Sequence, residues 1–81
     1  MRFNKATLTA GTFRQQGAFD VFSNGNVIEI YDPKTCKIIV VLEHPHVDFQ
    51  SEDITEIEGF GKIVGQYQKV KFHGEKATAS E

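Results

Sequence analysis

Three potential metal ligands alternate along one short run, His44-Pro45-His46-Val47-Asp48. In an extended chain alternate side chains point to one side, and two imidazoles with a carboxylate suit zinc or another divalent cation. Glu43 or His73 could supply a further ligand. The pattern H-x-H-x-D lacks the longer spacing that makes a metal motif specific. The plainer reading of His44, His46 and Asp48 is a polar turn with solvated side chains, and no cofactor is expected.

Charge offers a second chemistry. From Glu43 to Glu58 the chain carries six carboxylates (Glu43, Asp48, Glu52, Asp53, Glu56 and Glu58) and no lysine or arginine. Carboxylates spaced along a rigid β scaffold can imitate the regular charge of a nucleic-acid backbone and occupy a basic groove. From Gly59 to Gly74 the sign reverses, with Lys62, Lys69 and Lys71 and no acid. There the run Tyr67-Gln68-Lys69-Val70-Lys71-Phe72-His73 interleaves aromatics with cations. Small barrels that stack single-stranded nucleic acid use such a surface. The net charge of −2 and the core's need for aromatics make nucleic acid the lesser alternative.

Covalent catalysis finds no support. Ser23, Ser51 and Ser80 stand in no nucleophile motif, and Cys36 has no evident partner base. Gly59-x-Gly61-x-x-x-Gly65 misses the dinucleotide spacing and lacks a strand–turn–helix context. The chain reads as non-enzymatic.

The elements that must position these residues are strands. Thr7 to Phe13 is rich in β-branched residues and predicts a first strand. Arg14-Gln15-Gln16-Gly17 reads as a polar turn. Asn24-Gly25 between two β-like runs predicts a type I′ hairpin. Its register sets Asp20 opposite Glu29, Val21 opposite Ile28 and Phe22 opposite Val27. Alternation then sends Phe19, Val21, Ile28 and Ile30 to the core. The outer face carries Asp20, Phe22, Val27, Glu29 and Tyr31, too apolar to face water alone. A strand, a helix, a second copy or a partner should cover part of it. Asp20 beside Glu29 would be an unfavourable like-charge pair, bridged by Lys5 or Lys37.

Asp32-Pro33-Lys34-Thr35 has turn chemistry at two positions. The apolar run Ile38-Ile39-Val40-Val41-Leu42 follows, and it predicts a strand buried on both faces. Pro45 should end that strand, with Val47-Asp48-Phe49 a short extended piece beyond. Ser51 to Glu58 is ambiguous. A serine cap, acids in the first turn and Gly59 as a stop favour a short helix near residues 51-58. Gly59-Phe60-Gly61 reads as a flexible connector, and Lys62 to Phe72 as one or two strands broken near Gly65.

An 81-residue chain makes one domain with a thin core, here residues 1-73; residues 74-81 hold no core residue of size and are expected to be a disordered tail. A single cysteine argues for a reducing compartment. The longest fully apolar run, Ile38 to Leu42, cannot span a membrane as a helix. With no apolar run behind Met1, the expected location is cytoplasmic, a host cytoplasm for a viral protein. The expected fold is mainly β: an antiparallel meander of five or six short strands in a bent sheet or small open barrel. The expected function is binding to a protein partner with a basic surface. The surfaces would be the acidic segment and the hairpin face of Asp20, Phe22, Glu29 and Tyr31, as in small inhibitors or accessory proteins of phage or plasmid type. The apolar part of that hairpin face could equally be a homodimer seam, for which strand addition through an open sheet edge is an easy route.

Overall fold

The computed structural model describes residues 1–76, and all its regular elements are strands. They are β1 (Arg2–Ala10), β2 (Phe13–Asn24), β3 (Val27–Asp32), β4 (Lys37–Phe49), β5 (Ile54–Ile63) and β6 (Gln66–Glu75). Each pairs antiparallel with the next, and β6 returns to β1 to close the barrel. The expected β meander is thus a small barrel, closed rather than open, and closure leaves no strand of the sheet at a free edge. Among the described residues no helix is long and apolar enough to cross a membrane.

The interior is set by period-two alternation. Phe19, Val21, Ile28 and Ile30 are buried as expected. Phe72 packs edge-on against Phe3 at 5.2 Å and against Phe19 at 5.8 Å between ring centroids, the geometry aromatic quadrupoles favour. Leu8, Leu42 and Val70 complete the same cluster.

The turns differ from the expected ones. The β2–β3 hairpin turns on Gly25-Asn26, with Asn24 opposite Val27. Gly25 has φ 65° and Asn26 does not have positive φ, as in a type II′ turn with glycine first. Such a turn needs one left-handed residue, not two, and the pairing slides accordingly. Val21 now faces Ile30, Phe22 faces Glu29 and Asp20 faces Tyr31. The inward set survives because inward residues still oppose inward ones. The first hairpin turns on Gly11-Thr12, so Arg14 to Gly17 lies within β2. The 33–36 loop is held by Cys36 N–H donating to the Asp32 carbonyl at 2.8 Å and Lys34 N–H donating to Asp32 Oδ1 at 2.9 Å.

β4 carries two irregularities. One lies between its pairings at Ile38 and Val40, and it leaves Ile38 exposed. Val41 is also exposed, so the apolar run is not buried on both faces. The second lies between Glu43 and His46, where His44 takes φ 51°. Pro45 sits in this bulge, where no ladder hydrogen bond is asked of it, and the strand continues to Phe49. One extra residue switches the inward parity from Val40 and Leu42 to Val47 and Phe49.

The short helix near residues 51-58 is absent. Ser51 Oγ does accept from Asp53 N–H at 3.3 Å and Ile54 N–H at 3.1 Å, as a cap would. The chain then enters β5, where β-branched Ile54, Thr55 and Ile57 suit a pleated surface. Gly59 and Gly61 are buried positions in β5, not a connector. The body also passes residue 73. Gly74 is buried, Glu75 pairs with Lys5 and Ile54, and Lys76 N–H donates to the Asp53 carbonyl at 2.8 Å. The rest of the expected tail, 77–81, lies outside the described residues.

The β5–β6 turn is Val64-Gly65, with φ of 52° and 74°. Both positive values match type I′, an unfavourable conformation for a β-branched residue. Val64 is 71% exposed, so its side chain gains little packing. Val64→Asn is therefore expected to stabilise the protein by about 1 kcal/mol, raising the thermal midpoint by about 5 °C in a calorimetric scan.

Candidate binding face

The outward residues of β2 to β6 form one continuous surface, because every strand in a closed barrel has two neighbours. Phe22 lies opposite Glu29, and Glu29 opposite Val41, across β2, β3 and β4. One row on, Glu43 lies between Val27 and Phe60, and Phe60 faces Lys69 on β6. Phe22 is 49% exposed, Phe60 41% and Tyr67 56%. Phe22 meets Tyr31 edge-on at 5.6 Å, while Phe60 stacks on Tyr67 at 6.3 Å with 19° between ring planes.

Two carboxylates are built into this apolar surface. Tyr31 Oη donates to Glu29 Oε1 at 2.9 Å, and Asn24 Nδ2 donates to Glu29 Oε2 at 3.1 Å. Tyr67 Oη donates to Glu43 Oε1 at 2.9 Å. Both phenols are pushed above the ordinary tyrosine value of 10.0, first by the hydrogen bond to the carboxylate, then by desolvation and the nearby charge. A raised value means that each bond's contribution is complete below that ordinary value. It fades as pH climbs through the raised one. Across neutral pH both carboxylates stay braced beside their aromatic rings.

The other expected site residues are dispersed or already engaged. Asp20 does not face Glu29; it binds the Arg2 guanidinium through both carboxylate oxygens. That contact raises the Arg2 pKa, chiefly through the hydrogen bond and then through Asp20's charge. Lys5 and Lys37 play no bridging part there. Glu58 lies between Lys69 Nζ at 3.5 Å and Lys71 Nζ at 3.9 Å. Glu56 accepts from Gln50 Nε2 at 2.9 Å and contacts His73 Nδ1 at 2.9 Å. The segment that alternates acids thus lies against the segment that alternates cations, and charges separated in sequence are adjacent in space. Exposed pairs of this kind add little stability, but they quench the field of the acidic run. Among the described residues, the Asp48, Glu52 and Asp53 carboxylates have no hydrogen-bond or ion-pair partner. They cluster near the β4–β5 bend.

The alignment of His44, His46 and Asp48 is broken by the β4 bulge, which puts His44 out of alternation with the other two. No group of three or more candidate metal ligands converges among the described residues. Phe60 and Val41 are the members of the face that sequence reasoning missed: Phe60 falls within a glycine-flanked stretch that reads as a connector, and Val41 within an apolar run that reads as buried on both faces. Comparison with protein-family models, curated proteins and solved structures gives no match for this chain.

Proposed function

We propose that this chain is a small non-enzymatic protein-binding module that docks a partner on the outward face of β2 to β6. The observation that supports the reading is the row of exposed Phe22, Val41, Phe60 and Tyr67 around two braced carboxylates, Glu29 and Glu43. Interface cores are enriched in aromatics, and a few such anchors carry most of the binding energy. The partner surface that fits is apolar, with lysine or arginine placed to reach Glu29 and Glu43. The basic surface of a nucleic-acid enzyme has that chemistry, and an inhibitor or accessory protein of phage or plasmid type would use it in the host cytoplasm. Asp48, Glu52 and Asp53, with their free carboxylates, would steer the encounter rather than hold the complex.

The second reading is single-stranded nucleic acid. It is favoured by one local pattern: Phe60 faces Lys69 and Lys62 faces Tyr67, so aromatics and cations alternate across two strands. Glu43 and Glu58 beside them would repel phosphate.

The test is affinity capture with nuclease-treated and untreated samples, using wild type, Phe22→Ala, Glu43→Lys and the Glu52→Lys/Asp53→Lys double variant. A protein partner that survives nuclease is expected. Its affinity should fall by about tenfold or more for Phe22→Ala and for Glu43→Lys. The double variant should mainly slow association. Recovery that depends on nucleic acid, falls steeply with salt and is lost in Lys69→Ala would replace the proposal with the second reading.

A further inference from the structure

At the end of the barrel beyond the β4 bulge, the packed core stops short of the mouth. An open cavity of about 250 Å³ remains. Its walls include Val21, Ile28, Val47, Phe49 and Ile57, and no charged side chain lines it. Two polar side chains, Ser23 and Thr55, interrupt this hydrocarbon lining, and of these Thr55 is the buried one. It points inward from β5 and is 2% exposed, yet its hydroxyl has no hydrogen-bond partner.

An unpaired buried hydroxyl carries a desolvation penalty, and native proteins satisfy nearly all such groups. A bound water is a poor remedy here, because a buried water wants two to four polar partners; besides Thr55 the lining offers only the Ser23 side chain and the Met1 ammonium, which already donates to the Val21 carbonyl. A molecule that brings hydrocarbon for the walls and one polar atom for Thr55 answers both features. No acidic or basic side chain lines the cavity, and the Met1 ammonium at its wall is already engaged with the Val21 carbonyl at 2.8 Å, so the lining fits a neutral ligand better than an ionic one. The volume sets the size: a cavity of about 150 Å³ accommodates benzene, so this one takes a single substituted ring or a short alkyl chain.

We infer that the barrel mouth is a binding site for a small neutral apolar molecule, a monocyclic or short-chain compound whose single hydroxyl or carbonyl pairs with Thr55. The site lies at the end of the barrel and is independent of the docking face on its side.

The experiment is a titration of the full chain with p-cresol and, separately, toluene, followed by amide chemical shifts. Saturable shifts at Val21, Ile28, Val47, Thr55 and Ile57 are expected with p-cresol at submillimolar to millimolar concentration. Thr55→Val removes the orphan hydroxyl and retains the shape, so it should fold. It should weaken p-cresol about fivefold and leave toluene unchanged, and Thr55→Ser should bind p-cresol as wild type does. Absence of saturable shifts for p-cresol would overturn the inference. So would shifts confined to the outer face, or a Thr55→Val variant that affects the two probes equally. None of these results bears on partner capture by Phe22 and Glu43.

Discussion

Phe72→Ala is expected to cost about 3–5 kcal/mol, measured as a fall in the urea midpoint with little change in slope. The ring is 1% exposed and touches Phe3 and Phe19 edge-on. It sits on β6 opposite Leu8 of β1 and Ile57 of β5, so it bridges the strands that close the barrel. Truncation removes burial and both aromatic contacts, and the surrounding strands are hydrogen-bonded on each side and cannot collapse into the space. A domain of this size has a total stability of only about 4–12 kcal/mol. The variant should therefore be partly unfolded even without denaturant. Phe72→Leu, which refills most of the volume, should lose much less. The docking face should fail with the barrel, since β6 carries Tyr67 and Lys69 outward in alternation with Val70 and Phe72 inward.

That alternation explains what was legible in the sequence. Phe19, Val21, Ile28 and Ile30 announce their side of the hairpin by period two. They kept it even though the turn moved from Asn24-Gly25 to Gly25-Asn26, because the slide preserved which residues face inward. Neighbour pairs were less legible: Asp20 and Glu29 part company on that same slide. The helix near residues 51-58 was suggested by local signals at Ser51, Glu52 and Asp53, and Ser51 does make capping hydrogen bonds. The outcome was decided by contacts distant in sequence, with β4 on one side and β6 on the other. The same holds for Gly59-Phe60-Gly61, whose strand character comes from packing that local propensity does not encode. Barrel closure by β1 and β6 joins the two ends of the described chain, so no local pattern could reveal it. Alternation in the hairpin is enough to put Phe22, Glu29 and Tyr31 on the outer face, and Glu43 stands out as the first acid of a carboxylate run. Phe60 and Thr55 were hidden inside misread elements, and with them the face's second aromatic pair and the cavity.

Gly61→Ala is expected to cost about 3 kcal/mol, a fall of about 15 °C in thermal midpoint. A methyl group at this position would collide with the Val41 carbonyl oxygen and lie 2.8 Å from Val40 Cγ2. The first obstacle is backbone, so no rotamer change relieves it; β4 and β5 must move apart. Gly59 is under similar constraint, with Leu42 Cβ 2.9 Å from its virtual methyl carbon. The two glycines allow β5 to lie close against β4. Gly65→Asn is the control: open space surrounds Gly65 and its φ is 74°, a conformation asparagine tolerates. Its cost should stay within about 1 kcal/mol. Gly61 also lies between Phe60 and Lys62, two outward members of the face. Displacing β5 should move Phe60 away from Glu43 and from the Tyr67 ring. If Gly61→Ala is assayed at a temperature where it remains folded, partner affinity should fall although no surface side chain has changed. An inward glycine then governs an outward binding site through strand spacing, and Gly65→Asn, which is free of the collision, should bind as wild type does.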